Sequence, residues 1–128
     1  MSRTVPDHIR RASLADAATG RTAVVLYLCL AADADAASPL IELRRYAAAR
    51  DWTVVAELVD RCGPETTLRD REQWPSLAEL LVSGRAQGFV TQSTEMWSHR
   101  PGERKRVLDW AADHHTFVCT VRAEQAVR

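Results

Sequence analysis

No apolar run in the 128-residue chain approaches the roughly 18 residues that a membrane-spanning helix needs, so no membrane partner is expected. Net charge is missing too: 17 Lys and Arg balance 17 Asp and Glu. Nucleic-acid-binding domains usually carry a basic excess, so DNA binding by this chain alone is expected to be weak or absent. Cysteine is scarce. Cys29, Cys62 and Cys119 are odd in number, widely spaced and match no zinc pattern. They suggest reduced thiols in a cytoplasmic setting, with neither metal nor cofactor. Repeats and low-complexity tracts are absent, and the opening Met1 to Pro6 leads into a polar segment unlike a signal peptide. What is present is ordinary for a folded domain: 46% apolar and 27% charged residues, enough to bury one core.

The dominant feature is the run Ala23-Val24-Val25-Leu26-Tyr27-Leu28-Cys29-Leu30. It lacks apolar–polar alternation, which predicts a strand buried on both faces at the centre of a mostly parallel sheet. Ligands of open α/β sheets bind beyond the carboxyl ends of the strands. That places the ground of interest at Cys29 to Asp35.

The rest of the chain alternates. Residues 1–21 read as a polar tail or a short helix over Asp7 to Ala18. Ser38, as N-cap, and Pro39 open a helix over 39–50, with Leu40, Leu43 and Ala47 inward, and Asp51 ends it. Trp52 to Val59 is the second strand, with Trp52 in the core. A polar loop from Asp60 to Gln73 follows, with a turn at Gly63-Pro64. Pro75 starts a second helix whose inner face holds Leu77, Leu80, Leu81 and Gly84. Gly88 to Gln92 is a third strand, and Ser93 to Gly102 a second polar loop. A third helix spans 104–115 with Val107, Leu108 and Ala111 inward, and Thr116 to Val121 is the last strand. The order β-α-β-α-β-α-β implies parallel strands with right-handed crossovers. The expected fold is a three-layer, flavodoxin-like α/β domain over 22–121, sheet order 2-1-3-4, with helices on both faces and a short tail at 122–128.

Several phrases in this layout resemble the N-terminal catalytic domain of serine site-specific recombinases, the resolvase/invertase group. They are Val25 to Leu28, Leu43 to Trp52, Val54 to Asp60, Leu77 to Leu81 with Gly84-Arg85-Ala86, and Val107 to Val121. The resemblance implies a resolvase-like fold and DNA strand exchange through a phosphoserine link. The family's Tyr-x-Arg-x-Ser phrase, however, reads Tyr27-Leu28-Cys29-Leu30-Ala31. Cys29 holds the arginine position and Ala31 the nucleophile position. The family's Asp-Arg pair after the third strand aligns with Thr94-Glu95, and Trp74 stands before Pro75 in the loop where an arginine is expected. Alanine offers no nucleophilic oxygen, and Glu95 would repel a phosphate.

Other candidates have plain alternatives. Cys29 reads as a thiol nucleophile or as a small buried residue. Asp33 and Asp35 read as an acidic pocket or as a solvated helix-start cap. With Tyr27, Arg69, Arg71, Ser98 and Arg100 they form the candidate pocket at the strand ends. His99-Arg100 and Arg104-Lys105-Arg106 read as a phosphate contact or a solvated helix start. His114-His115 suits a helix C-terminus better than a metal. Trp74 and Trp97 mark either an interface or a lid packed over the sheet.

The expectation is therefore a catalytically inactive, resolvase-like structural or regulatory module that meets a protein partner or itself. The alternatives are a recombinase with its nucleophile relocated to Ser38, Ser93 or Ser98, and a small-molecule binder at the strand ends. The seven residues after Val121 are too few for the family's dimerising helix and DNA reader, so neither is expected in this chain.

Overall fold

A computed structural model describes residues 21–122. Four strands form one all-parallel sheet: β1 (Ala23–Cys29), β2 (Thr53–Asp60), β3 (Gly88–Thr91) and β4 (Phe117–Thr120), in the order β2-β1-β3-β4. Three helices connect them: α1 (Ala37–Ala49), α2 (Trp74–Val82) and α3 (Glu103–Asp113). All seven residues of β1 are buried, as its unbroken apolar run requires of a strand covered on both faces. The expected α/β architecture and strand order are what the chain adopts. The tail or helix expected over 1–21 and the tail at 122–128 lie almost wholly outside the described residues.

Strand alternation sorts the core into two layers. Leu26 aligns with Val90, and Val90 with Cys119. That face carries α1, whose Leu43 and Ala47 are buried and whose Tyr46 hydroxyl lies 2.9 Å from Cys119 Sγ. Tyr27 and Phe89 face the other way, against Trp74 of α2, with centroid separations of 5.4 Å for Tyr27–Trp74 and 5.7 Å for Trp74–Phe89. α3 lies on this second face as well, beside α2. Edge-to-face aromatic packing of this kind adds roughly 0.5–1.5 kcal/mol per pair beyond the area buried.

Several local expectations change. α1 starts at Ala37 with Ala36 rather than Ser38 at the N-cap, and the side chain of Asp35, one residue earlier, accepts the backbone N–H groups of Ala37 (3.1 Å) and Ser38 (3.3 Å). Asp51 does end the helix, in the left-handed region at φ 62°. Gly84 is not on the inner face of α2. It follows the C-cap Ser83 at φ 82°, the conformation a helix-ending glycine supplies without strain. On α3, Leu108 is 41% exposed, and the inward stripe is Glu103, Val107 and Ala111 at a four-residue spacing. Val55 is an extra residue in β2, since Val24 aligns with Val54 and Val25 with Ala56. The resulting bulge leaves Val55 exposed on this edge strand.

Candidate functional site

The carboxyl end of β1 lies between those of β2 and β3, with Cys29 opposite Asp60 and Tyr27 opposite Thr91. A buried polar chain is built there. The Tyr27 hydroxyl donates to Asp60 Oδ2 at 2.7 Å, and Asp60 Oδ1 accepts the Gln73 backbone N–H at 2.7 Å. Arg71, 3% exposed, donates from Nη1 to the Tyr27 hydroxyl at 3.0 Å and to the Met96 carbonyl. Its Nη2 donates to the Pro64 carbonyl at 2.8 Å and its Nε to the Thr66 carbonyl at 2.9 Å. Burial raises the Tyr27 phenol far above its ordinary range, with Arg71 opposing that rise and Asp60 adding to it. Asp60 and Arg71 are thus linked through a neutral hydroxyl, and no buried side-chain polar atom is left without a partner among the described residues.

This chain ties the Asp60–Gln73 loop to the sheet and to the turn after β3. Each polar side-chain atom of Tyr27, Asp60 and Arg71 has a partner within the protein. Cys29 lies beside it, buried, with its thiol pushed up to about 12, chiefly by desolvation. Burial of this kind disfavours the reactive thiolate, and at 1% exposure Cys29 fits the reading as a small buried residue.

Beyond Cys29 the chain turns through exposed Ala31, Ala32 and Asp33, with the Ala34 N–H donating to the Ala31 carbonyl at 3.1 Å. Arg61 braces this turn by donating to the Ala34 carbonyl at 2.9 Å. Asp35 is held below the usual carboxylate range by the Ala37 and Ser38 backbone N–H groups it accepts. Its side chain serves the start of α1 rather than forming half of an acidic pocket with Asp33.

The candidate pocket of the sequence is therefore three places. Tyr27 and Arg71 meet in the buried chain. Asp33 and Asp35 belong to the turn before α1. Arg69 and Arg100 line a groove of about 510 Å³ between α2 and α3. Ser98 is half-buried in the loop before α3 and lines neither the chain nor the groove. Thr94 and Glu95 sit in a short 3₁₀ turn (Thr94–Met96), with Glu95 exposed.

Trp97 is 2% exposed, packs edge-on against Phe89 and donates from Nε1 to Thr120 Oγ1 at 3.3 Å. With Trp74 it forms a lid on the sheet. Sequence reasoning missed Asp60 as the partner of Tyr27 and missed the groove, whose wall includes Trp110 and Arg106. An aspartate closing an apolar strand was the available signal for the first. Among the described residues no His, Cys, Asp and Glu side chains group as metal ligands, and no helix is long and apolar enough to cross a membrane.

Two solved structures share this architecture. The C-terminal catalytic domain of ISC1926 TnpA, an IS607-like serine recombinase, superposes with a TM-score of 0.70 at 15% identity, covering 82% of this chain and 74% of that one. The N-terminal catalytic domain of TP901-1 integrase does so with a TM-score of 0.70 at 14% identity, covering 78% and 77%. The fold is that of a serine recombinase catalytic domain. No family model and no curated protein matches the sequence. The likeness therefore lies in the sheet, its order and its helices, on which a recombinase-like domain can be built with or without its chemistry.

Proposed function

We propose that this recombinase-like domain is catalytically inactive and serves as a structural or regulatory protein-interaction module in the cytoplasm. The observation that carries the reading is the end of β1, where Ala31 occupies the position at which the resemblance places the nucleophile. Phosphoryl transfer through a covalent link requires an activated oxygen and guanidinium groups free to take up developing charge. Arg71 gives its donors to Tyr27 and three backbone carbonyls. Ser38 stands beside Asp35, whose lowered pKa makes it a weak base, while Ser93 and Ser98 flank the turn after β3. A protein partner would use the apolar side chains left exposed on helices, Ile41 of α1, Val82 of α2 and Leu108 of α3, because Trp97 is already buried.

The test is a nicked or suicide DNA substrate incubated with the full chain and resolved on a denaturing gel. No covalent protein–DNA band is expected. A shifted band that disappears in Ser38→Ala or Ser98→Ala would establish a relocated nucleophile instead. A gel-shift titration near physiological salt accompanies it. With 17 basic and 17 acidic residues, duplex binding should be weak and should fall steeply with added salt.

A further inference from the structure

The groove between α2 and α3 plays no part in the module reading. Arg69 reaches it from the 3₁₀ turn Leu68–Asp70, Arg100 from the loop before α3, and Arg106 from α3 itself. Trp74 and Trp110 supply its apolar walls. Arg44, Arg61, Arg71 and Arg122 are each tied to a carboxylate or to carbonyl and hydroxyl oxygens. The guanidinium groups of the three groove arginines make no hydrogen bond or ion pair among the described residues. Three guanidinium groups without a direct partner line one concavity that holds a single carboxylate, Glu103, and that balance favours an anionic ligand.

Two further features narrow the ligand. The volume, about 510 Å³, falls in the range of small-molecule sites and is far more than a bare phosphate fills. Glu103 also forms part of the wall. Its Oε1 accepts the backbone N–H groups of His99 (3.0 Å) and Arg100 (3.3 Å), which fixes the carboxylate in place, and its Oε2 has no partner among the described residues. A carboxylate oxygen beside three cations suits a ligand that brings hydrogen-bond donors as well as negative charge. Indole surfaces suit one that also carries a flat ring.

We propose that this groove binds a mononucleotide. Arg69, Arg100 and Arg106 take the phosphate, Trp74 and Trp110 contact the base, and Glu103 accepts a ribose hydroxyl or an exocyclic amine. A longer nucleic-acid strand fits less well. Asp70 and Glu72 flank the arginines of the loop, and Glu79 and Asp109 place negative charge on the two helices.

The experiment is a tryptophan-fluorescence and calorimetric titration of the full chain with AMP, adenosine, inorganic phosphate and a short single-stranded oligonucleotide. AMP should saturate the site below about 1 mM, with adenosine and phosphate each at least about tenfold weaker. Arg69→Ala and Arg106→Ala alter exposed side chains, so both should fold as the parent does and weaken AMP about tenfold each. Glu103→Gln keeps the acceptor that holds His99 and Arg100. It should weaken AMP while leaving phosphate unchanged or tighter. Absence of saturable AMP binding would overturn the proposal. So would phosphate binding as tightly as AMP, which marks a plain anion site, or tighter binding of the oligonucleotide, which marks a strand surface. None of these outcomes depends on whether the chain forms a covalent DNA adduct, so this proposal and the inactive-module reading can fail separately.

Discussion

Arg69 and Arg71 stand two residues apart in one polar loop and meet opposite environments. Arg71 is folded under the loop, with Nε, Nη1 and Nη2 all engaged by protein oxygens. Arg69 is exposed, makes no hydrogen bond or ion pair among the described residues, and lines the groove. The same functional group is structural in one place and available in the other, and the difference is set by what surrounds it. A guanidinium removed from water survives only where fixed acceptors replace the water it loses. The backbone carbonyls of Pro64, Thr66 and Met96 and the hydroxyl of Tyr27 are those acceptors, and together they leave Arg71 no freedom to bind anything else.

Replacing each arginine by alanine is the strongest way to break the comparison. Arg71→Ala leaves the buried Tyr27 hydroxyl and Met96 carbonyl, and the half-buried carbonyls of Pro64 and Thr66, without their donor, and should destabilise the fold by about 3 kcal/mol or more. Arg69→Ala should stay within about 0.5 kcal/mol of the parent. Urea unfolding followed by circular dichroism measures both. Arg71→Lys should not rescue the first variant, because one ammonium cannot span acceptors that a planar fork reaches. Equal stability of the two alanine variants would show that the buried chain is not what holds the loop.

Tyr27→Phe sharpens the same point with a smaller effect. It keeps the ring that packs on Trp74 and Phe89 and removes only the hydroxyl between Asp60 and Arg71. Asp60 Oδ2 then loses its donor, at a cost of about 1–3 kcal/mol by the same unfolding measurement. A loss below that range would mean that Asp60 and Arg71 close the gap directly.

Much of this architecture was legible in the sequence, and the reasons are local. The run from Ala23 to Leu30 reads as a strand covered on both sides, and its β1 part, Ala23–Cys29, is central and wholly buried. The alternation of strands and helices fixed the parallel order because right-handed crossovers leave few topologies. What escaped was set by contacts between distant positions. Tyr27, Asp60 and Arg71 come from a strand centre, a strand end and a loop interior, and no periodicity links them. Arg71 sits among Asp70, Glu72 and Gln73, a phrase that reads as solvated until its fold-back is seen. Leu108 was misplaced because Val107 and Leu108 look alike in a helical pattern, and the stripe is decided by Glu103, a charged residue that the pattern discards. The groove was invisible for a similar reason. Arg69 and Arg106 lie 37 positions apart (106 − 69), so the local basic cluster showed only one side of it.

The smallest expected effect concerns the turn that replaces a nucleophile loop. Asp35 is exposed, yet both of its oxygens accept N–H groups at the start of α1, where the helix dipole also favours a negative charge. Those bonds lower its pKa below the ordinary 3.8, with the Ala37 N–H the larger cause. A carboxyl group whose folded pKa is depressed stabilises the fold above its unfolded pKa, and that contribution fades as pH falls through the folded value. Asp35→Asn keeps a side-chain acceptor but loses the charge. Its melting midpoint should fall slightly below that of the parent at neutral pH, and the two should converge as the pH drops below 3.8 and the parent's carboxylate is titrated. Thermal melts of both chains from neutral to acidic pH measure the difference, and a gap unchanged across that range would show that Asp35 acts through its hydrogen bonds alone.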